Sequence, residues 1–239
     1  MKRISIAVLA AILVVTVAFK ASAQTEQTRQ VSGFNGIGSA GSFDVHVKID
    51  GTESLKLSAP ADIVNDIETV VENGKLEIRF KRDSERGNRK WNSGNGKIDV
   101  YVTAKSLSSL SIAGSGYIKV DGVLSSSDVK LTISGSGSIT SAVKSTSLHA
   151  TISGSGTINV DGNSENASFT VSGSGDMKAK GLKADIATVT LAGSGNAHIY
   201  ADKTITAHVA GSGNVIYSGN ASVTDIRMAG SGNITREKS

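Results

Sequence analysis

Cysteine is absent from this chain and proline occurs once, at Pro60. The missing cysteines exclude disulfides, zinc-thiolate sites, a cysteine nucleophile and a lipid anchor attached through cysteine. Aromatic residues make up 4% of the 239 positions, fewer than a compact globular core draws on. Long apolar runs are equally scarce, and beyond the first 23 residues no stretch is apolar enough to span a membrane. An excess of one charge is missing too. Lys and Arg number 25 and Asp and Glu 21, a balance of +4. Lys2, Arg3 and Lys20 lie in an acid-free leading stretch, which leaves 4 − 3 = +1 for the remainder. That remainder gives no electrostatic case for nucleic acid or an anionic membrane as partner.

What the chain does have is glycine, 27 of it, and glycine at this level without a collagen period needs a backbone reason. At the start, Lys2 and Arg3 precede the apolar run Ile4 to Phe19, followed by Ala21-Ser22-Ala23. This is the pattern of a cleaved secretory signal over residues 1–23. Export to the periplasm, the outer cell surface or the medium is therefore expected, with no membrane span after cleavage.

Internal repetition dominates the second half. Gly-Ser-Gly begins at Gly114, Gly135, Gly154, Gly173, Gly193, Gly211 and Gly230, at intervals of 21, 19, 19, 20, 18 and 19 residues. The flanks repeat as well. Two residues before each triplet stand Ile112, Ile133, Ile152, Val171, Leu191, Val209 and Met228, and four before stand Leu110, Leu131, Ala150, Phe169, Val189, Ala207 and Ile226. Two after stand Ile118, Ile139, Ile158, Met177, Ala197, Val215 and Ile234. Alternation on both sides of a glycine pair reads as strand, sharp bend, strand. Gly122, Gly162, Gly181 and Gly219 mark a second corner. One repeat is then one coil, which buries its apolar face only by stacking on neighbours. At about 4.8 Å per coil, seven coils make a stack of roughly 30 Å.

The fold class that follows is all-β: a β-helix of about seven 19-residue coils over residues 106–236, preceded by a β-rich segment over 31–105 that caps or continues it. Residues 24–30 read as a polar leader and 237–239 as a polar tail. Within the β-rich segment, Phe43, Val45, Val47 and Ile49 alternate along a strand. Asn73-Gly74 signals a two-residue hairpin, Pro60 to Asp66 a helical turn, and Gly38-Ser39-Ala40-Gly41 a degenerate corner. The polar insertion from Lys81 to Gly96 reads first as a solvated loop. Its functional alternative is a protruding contact loop bearing Arg86, Arg89, Lys90 and Trp91.

Gly33-Phe34-Asn35-Gly36-Ile37, the hairpin Asn73-Gly74-Lys75-Leu76-Glu77-Ile78, the Ala/Ser-Gly-Ser-Gly coils and the ending Asp225-Ile226-Arg227-Met228-Ala229-Gly230-Ser231-Gly232-Asn233-Ile234 together resemble the putative auto-transporter adhesin, head GIN domain family, widespread in Bacteroidota. The resemblance runs from about residue 31 to 236. It implies a right-handed, single-stranded β-helix exported to the envelope, and it brings no catalytic residues with it. A translocator barrel is not expected, since it would need many more strands.

Chemistry-bearing patterns are few. His46, His149, His198 and His208 stand at different distances from their triplets, so no converging metal set is expected. Asp121 and Asp161 each lie five residues after a triplet and just before a glycine. They would share a face two coils apart, about the spacing of an inverting glycosidase pair, but Asp-Gly is first a turn. The triplet lacks the helix and lysine of a phosphate loop, and no serine is singled out beside a histidine and a carboxylate. What remains is a repeated polar surface: the triplet serines, and a column of Asn196, Asn214 and Asn233. Such columns first satisfy corner backbone groups; otherwise they offer a hydrogen-bonding face. The expected role is a non-catalytic adhesin-like or scaffolding module at the envelope, without cofactor, contacting a glycan or an envelope protein, with homo-oligomers allowed. The alternatives are a polysaccharide-active β-helix enzyme and a periplasmic partner of an envelope signalling protein.

Overall fold

The computed structural model describes residues 24–81 and 96–237; the signal stretch and the Arg86, Arg89, Lys90 and Trp91 insertion lie outside these residues. In chain order the strands are β1 (Gln24–Arg29), β2 (Gly36–Gly41), β3 (Asp44–Ile49), β4 (Ser54–Pro60), β5 (Ile67–Glu72), β6 (Lys75–Phe80), β7 (Asp99–Ala104), β8 (Ser109–Gly114), β9 (Tyr117–Gly135), β10 (Ser138–Gly154), β11 (Thr157–Gly173), β12 (Asp176–Gly193), β13 (Asn196–Gly211), β14 (Asn214–Ser218), β15 (Ser222–Ala229) and β16 (Asn233–Arg236). They form one β-solenoid. A 3-10 turn, Val64–Asp66, stands where the helical turn was expected.

The triplets superpose coil on coil. Gly114, Gly135 and Gly154 pair in register with one another, as do Gly173, Gly193 and Gly211 further along. The bond that closes each corner comes from the backbone. Ser136 N–H donates to the Gly114 carbonyl at 3.0 Å, and Ser155, Ser174, Ser194 and Ser212 N–H donate at 2.9 Å to the glycine carbonyl one coil back. The serine side chains face solvent, so the corner is held by amides, where a hydroxyl ladder was expected. Glycine is obligatory at the first position for two reasons. Its φ is +120° to +136° at Gly114 through Gly211, and a side chain there would overlap the glycine carbonyl of the preceding coil. Serine contributes only its amide at this corner.

The apolar flanks then fall into columns. One runs Leu76, Ile37, Leu110, Leu131, Ala150, Phe169, Val189, Ala207, Ile226. Phe169 stands beside Ala150, small next to large, which fills the shared interior at constant width. Every member is buried except Ile226. Coils of 21, 20 and 18 residues fit among those of 19 because register slips gather near the second corner, between Thr140 and Ala142, Asn159 and Gly162, and Ala179 and Ala184. The same slips keep Asp121 and Asp161 from lining up in one column. The slip pairs Ala142 with Asp161 on one side and with Val123 on the other, which puts Asp121 outside that column.

The N-terminal segment continues the solenoid in an order that the chain does not follow. β2 pairs in parallel with both β6 and β8, and β3 with both β7 and β9. The first coil in sequence, 36–49, is thus the second in space, between 75–104 and the coil that starts at Ser109. Its corner is Gly41-Ser42-Phe43, since Gly41 aligns with Gly114; of the degenerate corner expected over Gly38-Ser39-Ala40-Gly41, the last residue is the corner glycine and the first three run along β2. In the outermost coil β6 and β7 flank the corner position.

That end is capped. β4 runs antiparallel on β7, β1 antiparallel on β4, and β5 antiparallel on β6. Asn73 and Gly74, at φ +53° and +74°, make the expected hairpin. Phe34, Leu55, Leu57, Ile63 and Ile67 close the core beneath these strands. The stretch read as a polar leader is strand β1, anchored by Arg29. Its guanidinium donates to the carbonyls of Ile67 at 2.6 Å and Val64 at 2.8 Å.

Candidate functional site

Four strands, β4-β7-β3-β9, present one outer face at the capped end. Alternation puts Val45, Val47, Val100, Val102 and Ile118 inside. The residues between them face out in three rows fixed by register. One row is Ser58, Asp99, Asp44, Tyr117; the next Lys56, Tyr101, His46, Lys119; the third Ser54, Thr103, Lys48, Asp121. Together the second and third rows line an open groove of about 600 Å³.

The floor of the groove is held by ring contacts. His46 stacks on Tyr101 with centroids 4.9 Å apart and planes 13° off parallel, and meets Tyr117 edge-on at 5.3 Å. Lys56 covers Tyr101 with its ammonium 5.2 Å from the ring centre and also pairs with Glu26 at 3.1 Å. Tyr101 itself remains 43% exposed. His46 Nε2 lies 2.9 Å from the Tyr117 hydroxyl and 3.3 Å from Asp99 Oδ1. Both partners meet the same nitrogen. A catalytic histidine uses one nitrogen toward its orienting carboxylate and the other toward the reacting group, so this arrangement is a cross-strand brace. Burial raises the Asp44 carboxyl above its ordinary range, and the Asp99 charge beside it adds to the effect, against Lys97 and His46. Burial likewise raises the Tyr117 phenol, with Asp44 and Asp99 contributing.

The first row continues down the solenoid. Tyr117 aligns with Ser138, Thr157, Asp176, Asn196, Asn214 and Asn233. The expected asparagine column therefore exists, and it begins at an aspartate. Asn196 donates to Asp176 Oδ1 at 3.0 Å and Asn214 to Asn196 Oδ1 at 3.1 Å. Asn233 breaks the chain of amides and donates to Thr235 at 2.7 Å. The groove and the column thus share one face, at opposite ends. Other histidines stand apart from the cluster. His198 shares the His46 row with Lys119, Thr140, Asn159 and Lys178 between them, and His208 pairs with Asp225 at 3.2 Å near the far end. Among the described residues no group of three or more His, Cys, Asp or Glu is placed to hold a metal ion.

Comparison with known proteins gives a consistent family and fold. No curated protein matches the chain. A solved structure of a putative adhesin from Bacteroides fragilis superposes with TM-score 0.81 at 20% identity, over 91% of this chain and 98% of that one. A putative lipid binding protein from Parabacteroides distasonis gives 0.73 at 24% identity, over 90% and 97%. A putative adhesin from the same species gives 0.70 at 21% identity, over 91% and 98%. The profile of one family covers residues 33–221, from the turn before β2 to the turn between β14 and β15. The chain is a member of that family, described as the putative auto-transporter adhesin, head GIN domain.

Proposed function

We propose that this protein is an exported adhesin-like module, and that the groove over β3, β7 and β9 is its contact site for an anionic saccharide. The observation that supports the reading most is the groove itself: Lys48, Lys56 and Lys119 stand around an exposed tyrosine, Tyr101, on a braced, four-stranded sheet. Aromatic edges with lysine at the rim suit a ring-shaped ligand that carries carboxylate or sulfate. Rigidity favours it too, because a preformed site loses little conformational freedom on binding. Asn196 and Asn214, further along the same face, offer amide groups to an extended chain. The family name and the neighbours described as adhesins support an adhesin-like role, and the leading residues 1–23 support export. The relative described as lipid binding suggests another ligand class, but here the columns of aliphatic side chains fill the solenoid interior, which leaves a lipid chain only the outer surface.

Glycan-array and cell-binding assays on residues 24–239 test the reading. Binding to acidic glycans is expected, weakened by salt, and reduced roughly tenfold by Lys48→Glu with Lys119→Glu, about the loss of one or two exposed charge contacts. Binding unaffected by these changes, or none to any glycan, would reject the groove as the site.

A further inference from the structure

The two ends of the solenoid are not alike. Three antiparallel strands and a 3-10 turn cover the first coil, while among the described residues β15 ends the stack with one edge unpaired. β15 pairs only with β13. Its register sets Val223, Ile226 and Met228 over Ile205, Ala207 and Val209, all core positions one coil earlier. Those three are nevertheless 46%, 43% and 43% exposed, whereas the residues beneath them are buried. An open edge above a cut core is what terminal repeats ordinarily cover.

We infer that a second copy of this chain covers it, through antiparallel pairing of β15 with β15 about a two-fold axis at Ile226. The charge pattern of the strand is self-complementary for that arrangement. Antiparallel pairing centred on Ile226 places Asp225 opposite Arg227 of the other copy, and Arg227 opposite its Asp225. Both side chains lie on the outer face, where they pair with each other within one chain at 3.0 Å. On the inner face Ile226 meets Ile226, so its aliphatic column runs on into the second solenoid. A head-to-tail arrangement would need a second open end, and the other end is capped; the antiparallel one pairs β15 with β15 about a closed two-fold and stops at two. Asp225 carries a further hydrogen bond from His208, which holds its carboxyl below the usual range, so the anion this pairing needs is present at neutral pH.

Sedimentation velocity on residues 24–239, with circular dichroism to check folding, tests the inference. A reversible monomer–dimer equilibrium in the micromolar range is expected. Asp225→Arg alone and Arg227→Asp alone each put like charges opposite one another, which destabilises the pair, and each is expected to weaken the dimer at least ~10-fold. Mixing the two folded variants in equal amounts is expected to restore dimers, because every arginine then faces an aspartate. Ile226→Asp, folded but monomeric, is not expected to be rescued by either. A wild-type chain that stays monomeric, single variants that still dimerise, or a mixture that stays monomeric would overturn the pairing.

Discussion

At the scale of single residues, the corner glycines and the isolated ones differ in kind. Gly154 has φ +123° and would drive a methyl group into the Gly135 carbonyl oxygen. Gly33 has φ +76° and nothing within 4 Å of the same methyl position. Gly33→Ala carries only the conformational cost, about 1 kcal/mol. Gly154→Ala adds a backbone overlap that can be relieved only by parting two coils, so its loss is expected to exceed about 3 kcal/mol. Urea unfolding of the two variants measures both; equal losses would mean that the corners are not in contact. The triplets were legible in the sequence because this overlap forbids any other residue there. The serine was misread for the complementary reason: its repeated occurrence suggests a hydroxyl ladder, while the group that repeats in the structure is the amide it shares with nearly every residue.

At the scale of elements, the groove shows what sequence periodicity does not reach. Val45-His46-Val47, Val100-Tyr101-Val102 and Ile118-Lys119-Val120 each announce an outward residue between two inward ones. Nothing in their separation says that the first lies between the other two. The chain lays down 36–49, turns back through β4 and β5, and places 75–104 above it, so the cluster forms across a swap in coil order. Phe43 adds to the concealment, because it replaces the second glycine of that corner. The asparagine column was legible, since its members keep one position after the triplet, a position that Tyr117 and Asp176 keep too. β1 was hidden for another reason: Gln24–Arg29 alternates polar residues only, and it is held as an edge strand by backbone pairing and by Arg29.

Asp44 makes the packing of β3, β7 and β9 measurable. Its carboxyl titrates above its ordinary value in the folded chain because of burial and then Asp99. Between that ordinary value, 3.8, and the folded one, the folded state binds more protons than the unfolded, so stability falls as pH rises through this window. Asp44→Asn removes the penalty. The variant is expected to be more stable than wild type at neutral pH, with the difference shrinking as pH falls toward 3.8 and below. Urea midpoints of both chains across that range read it out; an asparagine variant that is less stable at neutral pH would contradict the placement of Asp44 beside Asp99.

At the scale of the whole molecule, one stack of coils joins the cap to the open end, and its regularity is the central claim. The absence of cysteine makes distance measurement direct, since introduced thiols are the sole labelling sites, and the triplet serines face solvent. Pairs of spin labels at Ser115 with Ser194, Ser212 or Ser231 lie four, five and six coils apart. Diluted with unlabelled chain to remove contributions between copies, they are expected to give narrow distance distributions centred near 19, 24 and 29 Å, rising by about 4.8 Å per coil. Distances that fail to increase along that series, or distributions too broad to separate the three, would contradict the stacked corners and the solenoid built on them.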